Sequence, residues 1–122
     1  MSSEKKLEKL NPMTITDAEN GKEYTLEFSR KSVVKTEQAG FDVNKIESST
    51  MTMIPILFWG AFQAHHPYMT REKTDKILFE DLGGLSEEEM EHLAKLYAEP
   101  FQTLITNKEG GEGNPRKMAV KF

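Results

Sequence analysis

The chain reads as an α+β fold, mainly α: an N-terminal β-hairpin followed by a small bundle of about four helices. Three observations predict it. Apolar and polar residues alternate near the N-terminus, which is the period of a half-buried strand. Further on, apolar residues recur at i, i+3, i+4 and i+7, the period of a helix. Glycine, proline and short polar residues stand between these stretches, where turns and helix caps need them. At 122 residues the chain has the length of one domain.

Residues 1–13 are polar and charged, with Asn11-Pro12 as punctuation, and are expected to form a flexible arm. Met13–Thr16 and Glu23–Phe28 flank a loop in which Asn20-Gly21 supplies the positive φ angles of a tight turn. Tyr24, Leu26 and Phe28 alternate with Thr25 and Glu27, so one face is apolar. Two strands alone are marginal in water, and this face should pack on helices. Ser29 caps a helix over 30–39, and Gly40 ends it in the left-handed conformation. A second, almost wholly apolar helix precedes Pro67 and runs to about His66, with Pro55 placed in its first turn, where a missing amide proton costs little. Thr70 caps a third helix over 71–82 that Gly83-Gly84 stops. Ser86-Glu-Glu-Glu89 is a capping box for a fourth, carrying Met90, Leu93, Ala94, Tyr97, Phe101, Leu104 and Ile105. Pro100 should break it near Ala98. Residues 14–106 thus form a single domain. Residues 107–122 form a flexible C-terminal segment in which Met118–Phe122 is either a short strand, with the hairpin as its candidate partner, or simply a tail.

The second helix is the most informative stretch. Residues 51–67 carry no charge in a chain of which 30% is charged. At 100° per residue, Met51, Ile54, Leu57, Phe58, Ala61, Phe62 and His65 share one side. Met53, Ile56, Trp59 and Gly60 occupy the other. A helix apolar all round must be buried in a core, a membrane or a partner. A span needs about 20 apolar residues, so no membrane role is expected. Ile54, Leu57, Phe58 and Phe62 suit a core, whereas Met53, Ile56 and Trp59 are left for a partner. The candidate partner-binding surface is therefore Met53, Ile56 and Trp59, flanked by Leu57 and Phe62, since exposed apolar patches and tryptophans mark contact sites.

Catalytic chemistry finds no footing. There is no cysteine, which excludes disulfides and thiolate sites. His65 and His66 are adjacent rather than four apart, so they do not share a helix face as two metal ligands would. Carboxylates lie in solvated runs such as Glu87–Glu89, and no nucleophile elbow or phosphate loop is present. No catalytic residue, metal site or cofactor is expected. The net charge of −4, from 16 basic and 20 acidic residues interspersed, argues against nucleic acid as a partner. The N-terminus leads into no apolar signal segment, and cytoplasmic residence is expected.

The order of motifs is similar to that of the small tail assembly chaperones of long-tailed bacteriophages and prophages of Gram-positive bacteria. The likeness runs over about residues 14–106. It is carried by Glu-Tyr-Thr-Leu-Glu-Phe at 23–28, Ala39-Gly-Phe41, Met53-Ile-Pro-Ile-Leu-Phe-Trp-Gly-Ala-Phe62, His65-His-Pro67, Thr74-Asp-Lys-Ile77 and Gly83-Gly-Leu-Ser-Glu-Glu88. The resemblance implies a mostly helical, non-enzymatic protein of the host bacterial cytoplasm. Such a protein binds the apolar tape-measure protein, keeps it soluble, recruits tail-tube subunits and is absent from the finished particle. The resemblance also implies a longer frameshifted form, with residues 107–122 near the junction. It carries over no catalytic residues. The competing expectation is a structural minor tail or head–tail connector protein of the virion. Self-association is compatible with either.

Overall fold

A computed structural model describes residues 10–104 and 118–122. The expectations for residues 1–9 and 105–117, Ile105 of the fourth helix and the domain's end at 106 among them, lie outside the described residues. The fold is α+β, mainly α, with an antiparallel hairpin ahead of four helices. Strand β1 (Met13–Thr16) pairs with β2 (Glu23–Leu26), Met13 opposite Leu26 and Thr16 opposite Glu23. Asp17 N–H donates to Lys22 O at 2.8 Å, and Gly21 at φ +75° takes the left-handed position in the turn. Leu10 and Met13 already pack on the core, so the expected arm does not extend through them.

Helix α1 (Arg30–Gln38) begins at a reciprocal cap. The Ser29 hydroxyl accepts from Ser32 N–H, and the Ser32 hydroxyl accepts from Ser29 N–H. It ends where Phe41 N–H reaches back to Thr36 O at 3.1 Å and Gly40 N–H to Glu37 O at 2.9 Å. Gly40 sits at φ +109°, which turns Phe41 inward. A 3-10 turn (Val43–Lys45) follows, capped by the Asp42 carboxylate.

Helix α2 (Thr50–Phe62) is the central element and touches β2, α1, α3 and α4. It starts and stops earlier than the sequence predicts. Pro55 therefore lies one turn further inside than expected, and the Met51 carbonyl loses its helical partner. His65 and His66 fall in the turn beyond Phe62 rather than on the helix. Helix α3 (Arg71–Lys76) is capped by Thr70 and widens into a π-turn over Ile77–Asp81, closed by Leu82 N–H to Ile77 O at 2.8 Å. Helix α4 (Glu87–Ala98) starts at the Ser86–Glu89 capping box and tightens into a 3-10 turn (Glu99–Thr103) at Pro100. Residues 118–122 are neither helix nor strand.

The core is continuous. Phe58, Phe62, Leu57, Leu26, Leu93 and Leu96 are sealed from solvent, joined by Phe28, Phe41, Met69 and Leu78. Each such side chain contributes ~1.5–3 kcal/mol through burial. Helix α1 reaches α2 unusually closely at Gly60. A Cβ there would stand 2.0 Å from Thr36 Oγ1, so only glycine permits the crossing. Thr36 is fully buried, and its hydroxyl is satisfied by donating to Ser32 O at 2.7 Å.

Candidate interaction surface

The side of α2 expected to face a partner is mostly closed. Met53 and Ile56 are 6% and 5% exposed and so do not form the open face expected of them, while Leu57 and Phe62, at 1% and 0%, lie in the core their spacing suits rather than beside an open contact face. The covering element is α1 with its C-terminal turn. Asp42 N–H points at Met53 Sδ at 3.4 Å, and the Gly40 Cα side approaches Ile56 Cδ1. Although α1 has few apolar residues, Ser32, Val33 and Thr36 suffice to shield α2, because Gly60 lets the backbones come together. Trp59 is half-buried, with its indole N–H donating to Met69 O at 3.1 Å. Gln63 Nε2 donates to the same carbonyl at 3.2 Å. The tryptophan thus anchors the loop before α3, and of the five predicted residues it alone keeps appreciable surface. On the opposite side Met51 is 77% exposed and Ile54 half-exposed, so the accessible edge of α2 is the one expected inside.

The histidines are structural ties between α2's end and the hairpin. His65 Nε2 lies 2.7 Å from Glu27 Oε1 and donates to it. Thr25 N–H donates to His66 Nε2 at 2.9 Å, which requires that nitrogen to be unprotonated. The proton then sits on Nδ1, 3.2 Å from the Tyr68 hydroxyl. Burial, then His65 and Lys22, holds the His66 pKa below the ordinary value, consistent with a neutral ring. Among the described residues no group of three or more histidines and carboxylates could hold a metal ion.

The open apolar surface lies elsewhere. A groove of about 660 Å³ runs between the end of α1, the 3-10 turn, α2 and α4, lined by Phe41, Val43, Ile46, Leu57, Tyr97 and Phe101. Val43 is 58% and Phe101 37% exposed, so its rim is greasy and accessible. Its floor is rigid. Tyr97 stacks edge-on against Phe28 at 5.1 Å, Phe41 at 4.9 Å and Phe101 at 5.3 Å. Glu37 and Asp42 stand at the same rim. Burial, reinforced by those two carboxylates, pushes the Tyr97 hydroxyl up to about 12. The mouth is therefore apolar with a negative edge. A smaller apolar hollow of about 260 Å³ lies between Met51, Ile54, Leu78, Phe79, Leu85 and Met90.

Sequence reasoning missed this groove, because its walls come from four elements. The only local signal was Phe41 just past a helix-ending glycine and Phe101 just past Pro100, two aromatics placed by breaks.

No helix among the described residues is long and apolar enough to cross a membrane. No curated protein and no solved structure matches the chain. A family model does, over residues 1–122, and the chain belongs to the family described as a domain of unknown function, DUF5055.

Proposed function

We propose that this protein is a tail assembly chaperone that holds an apolar helix of the tape-measure protein in the groove at Phe41, Tyr97 and Phe101. The observation that carries the reading is that groove: an aromatic-floored apolar channel, open at Val43 and Phe101, with Glu37 and Asp42 at its rim. Channels of this kind accept the apolar face of an amphipathic helix, with anchors at i, i+3 or i+4 and i+7. The carboxylates of Glu37 and Asp42 favour a helix with lysine or arginine beside its apolar stripe. A long apolar helix aggregates when bare, and covering it keeps it soluble until tail-tube subunits polymerise around it. The motif order shared with phage tail chaperones supports the identity of the client, the recruitment of tube subunits and the host cytoplasm as the site of action. The reading assigns no reaction and no cofactor.

The test is co-expression of the full chain with the tape-measure protein. Val43→Asp/Phe101→Asp replaces two rim residues; Val43 is largely exposed, whereas Phe101 gives up its edge-on contact with Tyr97, worth about 0.5–1.5 kcal/mol. The double variant should keep the wild-type circular dichroism, melt only several degrees lower, and lose at least about tenfold of the co-purified tape measure, or about 1.4 kcal/mol of binding. A folded double variant that retains its client removes the groove from the account. Mass spectrometry of purified particles should find the protein missing. Stoichiometric presence there marks a minor tail or connector protein instead.

A further inference from the structure

The hairpin has one closed edge and one open edge. Asp17 N–H donates to Lys22 O, so those two residues form a hydrogen-bonded pair. Antiparallel pairs alternate, which makes Ile15–Tyr24 and Met13–Leu26 hydrogen-bonded pairs too. At Thr14–Thr25 and Thr16–Glu23, backbone N–H and C=O groups point away from the partner strand. On β2 these positions are occupied: Thr25 N–H donates to His66 Nε2 at 2.9 Å, and Glu27 N–H, next in the alternation, donates to Ala61 O at 2.9 Å. On β1 the outward groups of Thr14 and Thr16 meet no partner among the described residues.

The chain also carries a segment that fits this edge. Met118 and Val120 are 79% and 63% exposed and Phe122 fully so, and they alternate with Ala119 and Lys121. In an extended chain these three side chains share a face, while Ala119 and Lys121 share the other. Strand β1 has the same pattern: Met13 and Ile15 pack half-buried on the core, while Thr14 and Thr16 face water. We infer that residues 118–122 of this chain bind as a third strand along the open edge of β1, with Met118, Val120 and Phe122 continuing the apolar face of Met13 and Ile15. Main-chain hydrogen bonds to Thr14 and Thr16 supply the attachment, and the alternating side chains supply the register.

The geometry favours the chain's own segment over another copy's. Leu10 N–H donates to Glu99 Oε2 at 3.1 Å, and His92 Nε2 lies 2.7 Å from Asn11 O. The end of α4 is thus pinned beside the approach to β1, and Leu104 follows within one short 3-10 turn. From Leu104 to Met118 the backbone spans up to about 45 Å when extended, enough to reach either end of β1. Covalent attachment also makes the contact independent of protein concentration, as a strand donated by another copy is not.

The experiment is amide hydrogen exchange by NMR on the full chain, beside a full-length variant carrying M118D, V120D and F122D. These residues are exposed, so the variant keeps the fold, and the Ile15 and Tyr24 amides serve as internal controls. Thr14 and Thr16 amides should exchange at least about tenfold slower in the wild type than in the variant, and residues 118–122 should show extended-chain shifts. Equal exchange rates in the two proteins, or random-coil shifts at 118–122, overturn the proposal. Protection that vanishes on dilution together with a dimer by sedimentation overturns it in favour of a strand donated by a second copy.

Discussion

His66 shows how a single side chain can tie two distant segments at the cost of pH sensitivity. Its Nε2 accepts the Thr25 amide proton, a role only the neutral ring can fill. Because burial, His65 and Lys22 lower its pKa from the ordinary 6.5, the folded protein holds fewer protons there than the unfolded chain. Stability from this residue therefore rises with pH. It is whole above the unfolded value of 6.5 and is lost as pH falls from there through the lower folded value. Denaturant midpoints between about pH 7.5 and 5.5 should fall further for the wild type than for His66→Gln. Equal falls in the two proteins place the proton uptake elsewhere. The sequence made the pair conspicuous but not its role. The partners, Glu27 and Thr25, lie 38 and 41 residues away, and no local pattern reports a tie of that span.

At the scale of elements, the caps were the legible part. Ser29, Thr70 and Ser86 each take the N-cap position that their hydroxyls suit, and Gly40 ends α1 as a positive-φ residue should. Ser86→Ala removes the bond to Glu89 N–H and should cost about 0.5–2 kcal/mol, read from chemical denaturation. The boundaries of α2 were less legible. An apolar run has no internal mark of where helix passes into turn, and Pro55 is tolerated deeper than its first-turn preference suggests. Least legible was the contact that decides which face of α2 is covered. Gly60 looked like one more small residue on an apolar face, yet it is the point at which α1 crosses. Gly60→Ala drives a methyl group into Thr36 and should lower the unfolding free energy by about 1–3 kcal/mol. A thermal midpoint unchanged by that substitution means the helices have room to separate.

For the molecule as a whole, the fold class followed from periodicity, and the apolar excess of α2 followed from composition. The place where apolar surface stays open did not. It depends on α1 closing over Met53 and Ile56 while the turn at Val43 and the break at Pro100 leave a channel beside Leu57 and Tyr97. That arrangement moves the proposed contact surface from one helix face to a groove between four elements. The central claim is that an apolar client helix with flanking basic residues seats in that groove, near Glu37 and Asp42. NMR titration of the full chain with such a peptide from the tape-measure protein tests it most directly. Shifts should gather on Val43, Ile46, Ala94, Ala98 and Phe101 and weaken as salt screens the two carboxylates. Shifts centred instead on Met51, Ile54 and Phe79, or none at all at saturating peptide, would contradict the account.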